Sequence, residues 1–144
     1  MQVSIAQIVE FVTKHWELVL IWFGIAAVLG YDFIAGNAGS LDPLEAVNVI
    51  NHQEGVVVDV RPTADFVRGH IIHALNVPLN NLTKQINMLE KHKEQPLILN
   101  CDSGARSAQA CKQLRSNGFT KVYNLRGGIL AWESAGLPIT RKSR

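Results

Sequence analysis

The chain has 144 residues, which allow one ordinary domain and a short additional segment. Apolar residues make up 47% and charged residues 18% of the sequence, so the chain is too apolar to be disordered, and its two cysteines are too few for a disulfide scaffold. The net charge of +2 comes without a basic run, which argues against nucleic-acid binding as the main function.

The N-terminal segment contains a long apolar stretch. Residues 18–31 carry no charge, and the stretch extends over residues 16–35 if the acidic residues near its ends are accepted. A helix of that length covers about 30 Å, the thickness of a bilayer core, and places an aromatic ring near each interface. We therefore expect residues 1–35 to form a membrane anchor with one N-terminal transmembrane helix.

Two other interpretations of this segment remain open. A helix of this composition can also lie on a membrane surface or pack against the rest of the chain. A cleaved signal peptide is the second alternative, because the small residues at 36–38 resemble a cleavage site. The region before the apolar stretch, however, carries Glu10 and Glu17 against Lys14 alone, whereas a secretory signal begins with positive charge. The sequence therefore favours an uncleaved anchor.

The distribution of basic residues predicts the orientation of the anchor. All but one of the 14 basic residues follow residue 35. Because basic residues favour the cytoplasmic side, we expect a single-pass protein of the inner (cytoplasmic) membrane with the rest of the chain in the cytoplasm.

Residues 36–40 are small and polar and predict a linker, and residues 41–144 then show alternating helix and strand patterns. The predicted elements are a helix from Asp42 to about Gly55 that buries Leu44, Val47 and Val49 or Ile50, a strand at 56–60, a short strand at 75–77, a helix that carries Leu82, Ile86 and Leu89, a strand at 97–100, a helix over 103–116, a strand at 121–125, and a short helix around Trp132.

The order and composition of these elements predict an α/β fold. The strands at 56–60 and 97–100 are short, nearly continuous apolar runs, as expected of strands that are buried on both faces of a sheet. Strands that alternate with helices are typical of parallel sheets. We therefore expect a parallel sheet with helices on both faces.

The sharpest feature of the sequence is the loop after the strand at 97–100. Cys101 follows this strand, and a helix begins a few residues later, so we expect loop amides and the positive helix end to favour its thiolate. Gly104 allows a close backbone approach, and Arg106 adds positive charge. The Cys-x4-Arg spacing is one residue shorter than the Cys-x5-Arg loop of cysteine phosphatases, and the smaller loop suits a sulfur atom better than a phosphate.

Three groups of residues stand out in chain order: Asp59-Val60-Arg61-Pro62 with Phe66, Gly69-His70-Ile71, Ala74, Asn76 and Pro78; the loop from Cys101 to Arg106; and Gly118-Phe119, Val122-Tyr123, Gly127-Gly128, Ala131-Trp132 and Gly136-Leu137-Pro138. These groups resemble the motifs of rhodanese domains. Together they cover about residues 40–140 in the order of the family. With the predicted anchor, the chain resembles bacterial membrane-anchored single-domain rhodaneses.

The resemblance implies a sulfurtransferase in which Cys101 is the catalytic nucleophile. Cys101 would take a sulfane sulfur from a small donor, thiosulfate or a persulfide, and pass it through a cysteine persulfide to a thiol or cyanide acceptor. This scheme needs neither a metal nor an organic cofactor. The implied active-site loop comprises Asp102, Ser103, Gly104, Ala105 and Arg106, and Asp59 and Arg61 are the residues implied to support it.

Some positions depart from the usual residues of the family. Asp102 stands where thiosulfate-using members often carry a basic residue, so we expect it to repel an anionic donor such as thiosulfate. Ile72 and His73 stand where the family usually has Pro and Gly, which affects the local turn.

Two alternatives to the sulfurtransferase use the same residues differently. One is a membrane-anchored module that binds a protein partner on a rhodanese fold. The other is a thiol redox enzyme that uses Cys101 and Cys111, although Cys111 has the apolar helical spacing of a core residue. The five histidines are scattered without a ligand spacing, so no metal site is predicted.

Overall fold

The computed structural model describes residues 4–37 and 39–141. It divides the chain between residues 38 and 39 into two compact units. The first unit contains α1 (Ile5–Lys14) and α2 (Trp16–Asn37). A capping box starts α1, in which the Ser4 N–H donates to Oε1 of Gln7 over 3.2 Å.

The described residues contain no single helix that is long and apolar enough to cross a membrane. The Ile5–Lys14 helix and residues 16–31 reach that length and hydropathy only as a pair, which is bent by 86° at its break. The transmembrane helix over residues 16–35 therefore stays a prediction. The backbone of α2 also continues through residues 36 and 37 of the predicted linker, and residue 38 lies outside the described residues.

The second unit contains the remaining elements. In chain order they are β1 (Ser40–Leu41), α3 (Pro43–His52), β2 (Val56–Asp59), α4 (Thr63–Arg68), β3 (His70–Ile71), β4 (Leu75–Asn76), a 3₁₀ helix (Leu79–Asn81), α5 (Asn87–Glu90), β5 (Leu97–Asn100), α6 (Ala105–Ser116), β6 (Val122–Leu125), α7 (Gly128–Ser134) and β7 (Ile139–Thr140).

Five of these strands form one parallel sheet in the order β1-β6-β5-β2-β4. The predicted α/β fold with a parallel sheet is confirmed. The antiparallel pair of β3 and β7 was not predicted, and neither was β1. Each of these strands has two residues, which is too short for a hydrophobic period to show.

The sheet separates two hydrophobic cores, because successive side chains of a strand point to opposite faces. In β5, Leu97 and Leu99 belong to the core that α5 and α6 cover, and Ile98 belongs to the core that α3 and α7 cover. The predicted arrangement of helices on both faces is therefore confirmed. This burial on both faces explains why the strand sequences show no alternation with polar residues.

The predicted burial of α3 was partly wrong. Leu44 is 69% exposed, whereas Ala46 is fully buried, and Val47, Val49 and Ile50 pack against the core. The core-facing stripe of this helix begins at Ala46, so Leu44 lies on its solvent side.

The helix predicted from Leu82, Ile86 and Leu89 was also wrong. The chain forms instead a 3₁₀ helix and the one-turn α5, joined by turns with hydrogen bonds to the third preceding residue, such as that from the Gln85 N–H to the Leu82 carbonyl over 3.2 Å. Leu82 and Leu89 are nevertheless buried. The apolar spacing therefore identified the buried side chains but not the backbone conformation.

The turn at Ile72 and His73 forms with these unusual residues. His73 adopts a φ of 64°, which is the left-handed region that favours glycine, and the Ala74 N–H donates to the Ile71 carbonyl over 3.0 Å. The departure from the rhodanese motif is therefore accommodated by backbone strain at one residue.

Candidate active site

The loop between β5 and α6 lies at the carboxyl edge of the central strands. β5 ends at Asn100, and Gly104 precedes the first residue of α6 with a φ of 97°. A Cβ at Gly104 would lie 3.3 Å from the Gly127 nitrogen and from the Leu125 carbonyl oxygen. The backbone conformation and this close approach both require glycine here.

The loop surrounds the sulfur of Cys101 with hydrogen-bond donors. The Gly104 N–H donates to Sγ over 3.1 Å, and Oγ of Ser107 lies 3.2 Å from the same atom. Burial opposes ionisation, since Cys101 is 1% exposed, but the hydroxyl of Ser107 and the backbone N–H groups of Ser107, Gly104 and Ser103 outweigh it. Together they lower the pKa of Cys101 below its ordinary value.

The Ser107 hydroxyl also contacts the neighbouring strand β6. Its Oγ lies 2.6 Å from Oδ1 of Asn124, whose Nδ2 donates to the Gly104 carbonyl over 3.2 Å. Asn124 thus connects Ser107, in the first turn of α6, with the backbone of Gly104 at the end of the loop.

Asp102 is held between two arginines. The guanidinium of Arg106 forms an ion pair with its carboxylate, and Nη1 of Arg61 lies 3.8 Å from its Oδ1. The two positive charges partly neutralise the carboxylate, so its repulsion of an anion is weaker than the sequence implied. In this arrangement the guanidinium of Arg106 binds Asp102.

Asp59 and Arg61 form a buried ion pair at the end of β2. Nη2 and Nε of Arg61 lie 2.7 and 3.1 Å from Oδ2 of Asp59, and Nη2 also donates to the Gly69 carbonyl over 2.8 Å. Burial alone would lower the pKa of Arg61, but the hydrogen bond and charge of Asp59 and the charges of Asp102 and Asp65 raise it. Arg61 is therefore a permanent cation beside the loop.

This ion pair also contacts the strand that carries the cysteine. Nδ2 of Asn100 donates to Oδ2 of Asp59 over 3.2 Å, and Asn100 is the residue before Cys101. The structure thus brings Asp59 and Arg61 next to the loop, and their supporting role stays a prediction.

The remaining loop residues, Ser103 and Ala105, are exposed. A cleft of about 340 Å³ borders Asp102 on the side of Arg61, and another of about 330 Å³ borders Arg106. The second cleft is lined by Val60, Pro62, Thr63, Pro78, Leu79, Asn80 and Asn81 besides Arg106. The two clefts therefore reach the loop at Asp102 and Arg106, and neither is lined by Cys101.

Cys111 differs from Cys101 in its surroundings. It lies on α6 in the hydrophobic core, is free like Cys101, and burial raises its pKa to about 12. A thiol with this pKa stays protonated near neutral pH. In the residues that the structure describes, no group of three or more His, Cys, Asp or Glu side chains is arranged to hold a metal ion.

Sequence reasoning missed Ser107 and Asn124. A signal for Ser107 existed, because it continues the buried stripe of Cys111 and Leu114 on α6 and is the polar member of that stripe. Asn124 had no comparable signal. It lies 17 residues from Ser107, and only the pairing of β6 beside β5 brings the two together.

The chain is similar to known proteins in sequence and in fold. Residues 42–135 match the family model described as "Rhodanese-like domain". An uncharacterized Escherichia coli protein, YibN, is 32% identical over 139 residues, which cover 94% of this chain and 97% of that protein. A sulfurtransferase of Allochromatium vinosum is 42% identical over 87 residues, 60% of this chain and 79% of that protein.

The fold has similar solved structures. A rhodanese-related protein from Thermoplasma volcanium has a TM-score of 0.65 and 26% sequence identity, and the match covers 72% of this chain and 98% of that structure.

Proposed function

The chain belongs to the rhodanese-like domain family, and we propose that it is a sulfurtransferase that carries sulfur as a persulfide on Cys101. The observation that carries the proposal is the position of Sγ, 3.1 Å from the Gly104 N–H at the start of α6. Together with the Ser107 hydroxyl, this N–H lowers the pKa of Cys101 and supplies a nucleophilic thiolate.

In the first step, the Cys101 thiolate attacks the sulfane sulfur of the donor. A bond forms between Sγ and this sulfur, and the bond between the sulfur and the rest of the donor breaks. The leaving group departs with the electron pair, as sulfite from thiosulfate or as a thiolate from a persulfide. The negative charge then rests on the outer sulfur of the Cys101 persulfide.

In the second step, an acceptor thiolate or cyanide attacks the outer sulfur. The bond between the two sulfurs of the persulfide breaks, and the electron pair returns to Sγ as a thiolate. No net oxidation of the protein takes place, and the scheme requires no metal or organic cofactor.

The exposed ends of the loop suit this exchange. Ser103 and Ala105 lie at its surface, and the clefts beside Asp102 and Arg106 offer a donor or an acceptor a place next to residues that flank Cys101. The charges of Asp59, Arg61, Asp102 and Arg106 cancel, so a neutral or zwitterionic persulfide meets no net repulsion at this loop.

The test is the intact mass of the full-length protein after incubation with thiosulfate or with cysteine persulfide. We expect the gain of one sulfur atom, which excess thiol reverses. Cys101→Ser should show no gain, and the matched variant Cys111→Ala should retain it. If neither donor adds sulfur to the folded wild-type protein, the proposed transfer is wrong and a partner-binding module is the better interpretation.

The same pair of variants tests the thiol redox alternative. A redox enzyme needs Cys111 to form a disulfide with Cys101 during turnover. The raised pKa of Cys111 supports simple persulfide carriage instead. We therefore expect turnover per folded molecule to be unchanged in Cys111→Ala, and its loss in that variant would favour the redox mechanism.

A second part of the proposal is attachment of the domain to the inner membrane by residues 1–35, with the domain in the cytoplasm. Its support is the apolar surface of α2, where large side chains such as Leu20, Ile21 and Phe23 are more than half exposed. Contiguous apolar surface of this kind is typical of contact with lipid.

Extraction of bacterial membranes with alkaline carbonate tests this attachment. A spanning helix keeps the full-length protein in the membrane pellet, and a double variant with Leu20→Lys and Ile25→Lys should release it. Release of the wild-type protein would instead indicate a helix that lies on the surface or does not bind the membrane.

A further inference from the structure

The Ser107 hydroxyl has one proton and two acceptors within reach. Its Oγ lies 3.2 Å from Sγ of Cys101 and 2.6 Å from Oδ1 of Asn124. A serine hydroxyl donates only one hydrogen bond at a time, although it can accept others. Ser107 therefore cannot donate a hydrogen bond to both atoms at the same time.

The orientation of Asn124 follows from its second contact. Its amide faces the Gly104 carbonyl oxygen at 3.2 Å, and a carbonyl can only accept, so Nδ2 must point there. Oδ1 then faces Ser107 and can only accept as well. While Cys101 is a neutral thiol, Ser107 can donate to Asn124 and accept a hydrogen bond from the S–H group.

The arrangement changes when Cys101 loses its proton. A thiolate has no hydrogen to donate and is a stronger acceptor than an amide oxygen, since hydrogen bonds to charged groups are stronger than neutral ones. Ser107 is completely buried and has no water-exposed alternative for its hydroxyl. Donation to Sγ then leaves Oδ1 of Asn124 without this donor.

We propose that Asn124 is a positioning residue that competes with Sγ of Cys101 for the Ser107 proton, so that this proton follows the negative charge on sulfur through the transfer cycle. The inference rests on the proposed persulfide chemistry. In the free thiolate Ser107 donates to Sγ. Once the outer sulfur is bound, Sγ is neutral and Ser107 donates to Asn124.

The competition has a consequence for the second step. When the acceptor takes the outer sulfur, the electron pair of the broken bond returns to Sγ. Rotation of the Ser107 hydroxyl from Asn124 towards Sγ then stabilises the departing thiolate without a proton transfer. While the protein holds the persulfide, Asn124 accepts the hydrogen bond of the Ser107 hydroxyl. The hydroxyl therefore stays next to Sγ and can donate to it when the bond between the two sulfurs breaks.

The ionisable groups near the loop are unchanged in the test. They are Asp59 and Arg61 at the end of β2, Asp102 and Arg106 in the loop and the first turn of α6, and Cys111 further along α6. None of these groups contacts Asn124 in the hydrogen bonds that the structure describes. Asn124 does contact the Gly104 carbonyl, and the Gly104 N–H donates to Sγ, so the Ser107→Ala background is needed to separate this contact from the competition.

The experiment is a double-mutant cycle on the full-length protein with Asn124→Ala and Ser107→Ala. Thiolate formation is followed by ultraviolet absorbance against pH, with Cys101→Ser as the baseline. Asn124→Ala removes the competing acceptor, so we expect the thiolate to form at a pH about one unit lower than in the wild type. Ser107→Ala removes the donor and should move the transition to higher pH.

The decisive comparison is Asn124→Ala in the Ser107→Ala background. Without the hydroxyl there is no proton to compete for, so this substitution should leave the transition unchanged. An equal change in both backgrounds would mean that Asn124 acts only through the Gly104 carbonyl and the shape of the loop, and would overturn the inference. No change in either background would also overturn it.

A second variant guards against failure to fold. Asn124→Val has a side chain suited to a strand and also lacks an acceptor, and the same result is expected of it. The titration uses no sulfur donor, so its outcome is independent of persulfide formation. If the titrations give the expected shifts but the wild-type protein gains no sulfur, only the proposed function is contradicted. If the protein gains sulfur but the titrations do not give the expected shifts, only the inference is contradicted.

Discussion

The backbone N–H of Ile129 donates a hydrogen bond over 2.8 Å to the carbonyl oxygen of Cys101. The next N–H of α7, that of Leu130, lies 3.3 Å from the carbonyl oxygen of Asp102. The first turn of α7 therefore holds two successive peptide groups of the loop between β5 and α6. Gly128, with a φ of 60°, allows this contact, because a Cβ there would overlap both carbonyl oxygens.

Gly128→Ala should slow persulfide formation, because the loop must move away from α7 to admit the methyl group. We expect at least a tenfold loss of transfer rate, which corresponds to about 1.4 kcal/mol. The measurement is the rate of sulfur gain by intact mass, together with thermal unfolding. Gly136→Ala is the matched control, since Gly136 has a φ of 72° but nothing within 4 Å of its Cβ position. Equal losses of transfer rate in both variants would mean that backbone strain at a positive φ causes the loss, and that the overlap with the two carbonyl oxygens does not.

Asp59→Ala should strongly destabilise the domain. The guanidinium of Arg61, which is 5% exposed, would lose its buried carboxylate, and breaking such a pair costs about 3–5 kcal/mol. Urea denaturation measures the free energy of unfolding. Glu90→Ala is the control, because it removes an ion pair to Lys93 at the surface and should cost about 0–1 kcal/mol. A small effect of Asp59→Ala would mean that Arg61 finds another partner or water.

Asp102→Arg should raise kcat/KM for thiosulfate by roughly tenfold at low salt. The substitution removes a negative charge, adds a positive one and frees the Arg106 guanidinium from its ion pair. Glu90→Arg on α5 carries the same change of net charge outside the loop and should have little effect. Salt should diminish the difference, since it screens attraction of the anion. An unchanged or slower rate in Asp102→Arg would show that this residue does not control donor entry.

Cys101 and Cys111 should differ in alkylation by iodoacetamide. The lowered pKa of Cys101 means that its thiolate forms at a lower pH than in an unfolded chain, so its rate should rise with pH and level off below the pKa of an ordinary thiol. Cys111, with a pKa of about 12, should remain unmodified near neutral pH. Peptide mass analysis separates the two sites. Modification of Cys111 at a comparable rate would contradict the structural distinction between them.

Local patterns in the sequence were sufficient for the central part of the fold. The apolar run before Cys101 and the helical spacing of Cys111 and Leu114 after it predicted β5, the loop and α6 in the correct order. These patterns work because burial on both sides of a strand, or along one stripe of a helix, repeats over a few neighbouring residues. The same argument failed for Leu82 to Leu89, where buried side chains lie on turns.

The sequence by itself thus determined the place of Cys101, at the end of a buried strand and before a helix, and the family to which that loop belongs. Only the tertiary structure decided which distant residues lie around it: Arg61 beside Asp102, and Asn124 beside Ser107. The physical reason is distance along the chain. Hydrophobic periodicity records which face of an element is buried, whereas a hydrogen bond between side chains of separate elements depends on strand order and register, which no local pattern contains.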